Sequence, residues 1–131
     1  MSTKLNQILA EISAGELLDK ITILEIKREK ITDSEKLKNI NKELSSLTKT
    51  SDEKIPDKKR IENLVSDLKK INLKLWDIEE NKRRAEKEKK FDETFIQLSR
   101  DVYKSNDERA KIKLKINKNL GSNIREVKSH F

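Results

Sequence analysis

The sequence predicts an all-α protein, an elongated antiparallel bundle of about four main helices with a coiled-coil hairpin as its spine. Three observations lead there. Apolar residues recur at spacings of three and four along most of the chain, which is the period of a helix face. Hydrophobic residues are 33% of the 131, aromatics 4% and charged residues 42%, so there is material for long thin helices but little for a thick core. Two glycines and one proline leave few places to break a helix. The expected organisation is an arm or short helix over 1–13, a bundle over 14–121, and a tail over 122–131 that docks on the bundle.

The N-terminal stretch carries Leu5, Ile8, Leu9 and Ile12 at helical spacing but is too short to stand alone. Ser13 followed by Glu16 is a capping box, in which the hydroxyl accepts from the glutamate amide and the carboxylate reaches back, so the first helix starts near Ala14. It places Leu17, Leu18, Ile21, Leu24 and Ile31 on one face, with Arg28 among them, and Ile23 and Ile26 on another. A helix apolar on two sides packs against two neighbours. Thr32 to Glu35 repeats the box and starts a second helix, about 33–50, whose single narrow seam of Leu37, Ile40, Leu44 and Leu47 puts it on the outside. Thr48 to Asp57 is the clearest loop, with Pro56 suited to the first turn of the next helix.

The third helix is expected from Pro56 to Lys89. Its seam of Ile61, Leu64, Leu68, Ile71, Leu75 and Ile78 is the strongest periodic signal in the chain. The fourth, Phe91 to Asn117, has two apolar lines: Phe91, Phe95, Leu98, Val102, Ile112 and Ile116, with Arg109 inside, and Ile96, Tyr103, Ala110 and Leu114. Ser105 to Glu108 is a further capping box, so this helix is either continuous or two helices meeting there. Gly121 after Leu120 is the natural stop. In the tail, Ile124, Val127 and Phe131 fit a short docking helix.

Composition excludes several functions. With no cysteine and one histidine, His130, thiolate and multi-histidine metal sites are ruled out within one chain. No nucleophile lies beside a base, and there is no phosphate loop or metal spacing. The reading therefore leans away from catalysis, and no cofactor is expected. No apolar run approaches a membrane span of roughly 18 residues and no signal peptide is visible, so the default location is the cytoplasm.

The net charge of +7 leaves a basic stripe on the fourth helix, Arg100, Lys104, Lys111, Lys115 and Lys118, that is either solvated surface or a phosphate-tracking face. No aromatic interleaves with it, so base stacking has no platform and nucleic acid is not the favoured partner.

The seven arginines carry more information. Arg28 and Arg109 sit in apolar faces and Arg83 continues the third helix's seam, where a charge is costly unless paired. A hairpin turning near Lys89 brings Asn72 towards Glu108 and Arg109, and Glu79 towards Arg100 and Lys104. These residues either form an ion-pair network that sets register or clamp a small carboxylate or phosphate.

Two strings, GELLDKITILEIK from Gly15 and FDETFIQLSRDVYKSNDERAKIKLKIN from Phe91, together with Leu75 to Glu79, resemble an uncharacterised family of small bacterial helical proteins known only as a domain of unknown function. The resemblance implies a helical fold and carries no functional residue across. Two helices with double apolar faces exceed what one thin layer covers, so a homo-oligomer, first a two-fold dimer, is expected. Three functions remain: a non-enzymatic scaffold or adaptor with a protein partner, a small-anion binder that is conceivably enzymatic, and a polyanion binder.

Overall fold

The computed structural model describes residues 5–127; His130 and Phe131 lie outside the described residues. The chain folds as α1 (Ala14–Lys30), α2 (Ser34–Lys54), a 3-10 turn (Lys58–Ile61), α3 (Glu62–Glu88) and α4 (Glu93–Leu120). No strand occurs among the described residues, and none of the helices is long and apolar enough to cross a membrane.

The spine is the α3–α4 hairpin. Its turn is closed by Lys89, a non-glycine residue in the left-handed region at φ 56°, with Lys90 N donating to Ala85 O at 2.9 Å in a Schellman arrangement. Asp92 restarts the helix, its carboxylate accepting from the amides of Thr94 and Phe95. The helices run in opposite directions: Arg60 donates to Asn119 O at 2.8 Å near one end, and Lys82 Nζ lies 5.7 Å from the Phe95 ring centre near the other. α1 packs against α2, α3 and α4, whereas α2 packs against α1 alone among the helices. The main core joins Leu17 and Leu18 of α1 to Ile61, Leu68, Ile71, Ile112 and Ile116. A smaller cluster seats Ile40 and Leu44 of α2 on Leu24.

Several expectations change. α2 continues to Lys54, four residues past its expected end. Ile55 is 6% exposed and belongs to the main core, so its anchoring holds the last turn of α2 in place. Pro56 consequently precedes the 3-10 turn instead of opening α3. α4 is one helix through Ser105. A break there would take the apolar line out of register with α3, and that packing outweighs the local capping pattern.

Ser13 does cap α1, its hydroxyl accepting from Glu16 N at 3.1 Å, but the Glu16 carboxylate turns to Lys113. At the second box the cap is Asp33, which accepts from Lys36 N. Arg28 is exposed, because it lies in the last turn of α1, beyond the neighbours that bury Leu24 and Ile26. Residues 5–12 and 122–127 form no helix, and Leu5, Leu9 and Val127 are exposed.

Candidate functional site

Arg109, Lys113 and Asn117 follow one another at intervals of four, which sets them on one line of α4. On α1, Gly15, Glu16 and Asp19 fall within one turn and face that line. The two helices run oppositely here, and three polar rungs join them. Asn117 Oδ1 accepts from Gly15 N at 2.7 Å. Lys113 Nζ donates to Glu16 Oε2 at 2.6 Å. Arg109 grips Asp19 with two parallel bonds, Nε to Oδ1 at 2.9 Å and Nη2 to Oδ2.

The third rung extends to α3. Asn72 Nδ2 donates to Asp19 Oδ1 at 2.8 Å and to Thr22 Oγ1 at 3.0 Å, and the Thr22 hydroxyl donates in turn to the main-chain carbonyl of Asp19 at 2.8 Å. Asp19 is 1% exposed and Thr22 0%, so this carboxylate is removed from water and held entirely by protein donors.

The rungs depend on close approach. A Cβ added to Gly15 would lie 2.6 Å from Lys113 O and 2.9 Å from Asn117 Oδ1, so only glycine lets α1 come this near α4. The first turn of α1 is then closed by side chains: the amides of Ala14, Gly15 and Glu16 donate to Ser122, Asn117 and Ser13.

Lys113 has a second carboxylate. Its side chain is 7% exposed, and Nζ lies 2.7 Å from Glu126 Oε2, which the tail carries back over α4, and 3.8 Å from Asp19 Oδ2. Burial by itself would lower the Lys113 pKa, but the hydrogen bonds it donates to Glu126 and Glu16 and the Asp19 charge outweigh it, and the pKa is raised. The Asp19 hydrogen bonds raise the pKa of Arg109 against a smaller loss from burial, so its guanidinium stays charged.

Of the residues singled out in the sequence, the structure brings Arg109 and Asn72 together on Asp19. It leaves the others apart. Arg28 and Arg100 are exposed, and Arg83 meets Glu79 on its own helix at 3.8 Å in an exposed pair, not across the hairpin. Lys104, Lys111, Lys115 and Lys118 are exposed as well. Sequence reasoning missed Glu16, Asp19, Thr22, Lys113 and Asn117. The signal that would have found them is the i, i+4, i+8 run of Arg109, Lys113 and Asn117 matched to Glu16 and Asp19 three apart.

The inner set of Glu16, Asp19, Arg109 and Lys113 balances in charge. Its chemistry is the locking of α1 to the hairpin, in one register, by desolvated ion pairs. Among the described residues no group of three acidic or histidine side chains is placed to hold a metal ion.

These features define an all-α protein in which a long helical hairpin is keyed to a third helix by a buried polar ladder. The chain belongs to a family of unknown function, DUF6165, whose model matches residues 8–131. No curated protein and no solved structure matches it.

Proposed function

We propose that the protein is a non-enzymatic interaction module that self-associates as a two-fold dimer through the second apolar line of α4. The observation that carries this reading is the exposure of that line. Ile96 is 41% exposed and Tyr103 56%, whereas Ile112 and Ile116 of the other line are buried in the core shared with α3 and α1. Ala110 and Leu114 continue the stripe and are half-buried. A row of apolar side chains at helical spacing, with no other helix of the described residues over Ile96 and Tyr103, is suited to a helix of a second copy. The polar ladder supports the same role, since it holds α4 rigidly and presents the stripe in one orientation. The Ser13, Lys113, Glu16 and Asp19 side chains of the ladder are engaged in fixing helices and offer no activated nucleophile.

Sedimentation equilibrium at micromolar concentration tests the proposal. The unaltered chain is expected to be a dimer, and the Ile96→Glu/Tyr103→Glu variant a monomer of unchanged helicity by circular dichroism. A monomer for the unaltered chain over that range overturns it.

A further inference from the structure

The geometry points to a binding site for the carboxylate of a small organic acid at Lys113, occupied in this chain by its own Glu126. Two small cavities, about 250 Å³ and about 210 Å³, both have Glu126 in their walls. Both are lined by Ala110 and Lys113; Asn106 and Arg109 border the first, and Asp107, Lys111, Leu114 and Asn117 the second. They are smaller than sites for drug-sized ligands, which suits a short acid with a few carbons against Ala110 and Leu114.

Lysine has three N–H donors. One goes to Glu16 and one to Glu126, and Asp19 stands further off at 3.8 Å. Glu16 and Asp19 belong to helix α1 and lie inside the ladder. Glu126 differs: its side chain is 52% exposed, and it comes from a segment without helix or strand. The Lys113 side chain is 7% exposed with Glu126 in place, and withdrawal of Glu126 leaves one of its donors turned towards the recess with only water to accept from it. Arg109 supports the same position, because its Nε and Nη2 are committed to Asp19 while Nη1 faces Asn106 Oδ1 at a long 3.5 Å. A carboxylate entering there gains a charged donor from Lys113, an N–H from Arg109 and the amide of Asn106.

Charge selects the ligand class. Arg109, Lys111 and Lys113 are already balanced by Glu16, Asp19 and Asp107, so the recess takes one negative charge, the charge Glu126 brings. A dianionic phosphate would add a second one beside two fixed carboxylates. Glu126 thus acts as a tethered competitor, and access to the site is set by release of the tail. The recess shares Ala110 and Leu114 with the apolar stripe of α4, while its polar groups, Lys113, Arg109 and Asn106, lie outside that stripe.

The test uses thermal unfolding of the full chain at pH 8 in butyrate, a monoanion, against chloride at equal ionic strength. Glu126→Ala removes the competing carboxylate and vacates the site. This variant is expected to gain about 4 °C or more once butyrate is tenfold above its dissociation constant, because a ligand bound only by the folded state raises the midpoint. The unaltered chain is expected to gain at least tenfold less at the same concentration. Lys113→Gln/Glu126→Ala is expected to gain nothing. Because loss of Lys113 also weakens the fold, nitrogen-15 spectra of Glu126→Ala at constant temperature give a second readout, in which butyrate is expected to shift the Arg109 Nε signal saturably. Equal gains in butyrate and chloride for Glu126→Ala, equal gains for the double variant, or an equal response to inorganic phosphate would each overturn the assignment.

Discussion

Replacing Arg109 with methionine would strand the Asp19 carboxylate. In the folded protein that carboxylate is 1% exposed and accepts from Arg109 Nε and Nη2 and from Asn72 Nδ2. After the substitution it retains the neutral Asn72 amide and Lys113 at 3.8 Å, too far for a hydrogen bond. Breaking a buried pair by removing one partner costs about 3–5 kcal/mol, since the remaining charge keeps its desolvation penalty.

A chain of this length has a total stability of roughly 7–20 kcal/mol, so the loss is a large share. At about 3–5 °C per kcal/mol for this size, the midpoint should fall by about 10–20 °C. Asp19→Leu should cost less, about 2–3 kcal/mol, because the Arg109 side chain is 28% exposed and its guanidinium can turn to water. The double variant, with both charges gone, should be more stable than the sum of the single losses predicts by about 1–3 kcal/mol. Urea unfolding followed by circular dichroism at constant protein concentration measures all four corners of the cycle. Additivity within about 0.5 kcal/mol would refute the claim that this pair acts as a coupled, desolvated unit.

Gly15→Ala forces a methyl group against Lys113 O and Asn117 Oδ1, and the overpacking outweighs alanine's better helix propensity; a loss of about 1–2 kcal/mol in the same urea assay is expected, and a gain would refute the close-approach argument. Ser105 Oγ is buried without a hydrogen-bond partner, so Ser105→Ala should be neutral or stabilising by up to about 1 kcal/mol, and a loss above that would mean the hydroxyl is satisfied in solution. The raised pKa of Lys113 means that its charged form is favoured by folding. Its contribution is fully present below the ordinary lysine value near 10.4 and is lost as pH rises through the raised one. The unaltered chain should therefore lose more stability between pH 9 and the far alkaline range than Lys113→Gln, which other lysines affect equally; parallel profiles would refute it.

How much of this was legible beforehand follows from the range of each interaction. The seam Ile61 to Ile78 repeats along one helix, so periodicity alone locates it, and Leu68, Ile71 and Ile78 are buried. The hairpin turn was legible for a similar local reason: a charged run at the end of one apolar seam, followed by the start of another. Arg109 stood out because a guanidinium interrupts an aliphatic line. Lys113 did not, because lysine is common throughout this chain and its position on the wheel lies just off the apolar line. Asp19 was invisible as a partner: ninety residues separate it from Arg109. Glycine 15 reads locally as part of a capping box, and its actual role needs the carbonyl of Lys113 next to it.

By itself, then, the sequence determined the all-α class, the number of main helices, the antiparallel hairpin and the interior position of α1, because each rests on periodicity and breaks within a few turns of chain. It also marked Asn72 and Arg109 as polar residues in apolar surroundings. Tertiary structure alone decided what they do. Burial of Asp19 at the meeting of three helices turns a surface-type charge into the point that orders the ladder, and the return of the tail places Glu126 on Lys113. Those interactions join residues far apart in the chain, and desolvation, which sets their strength, exists only after the helices have packed.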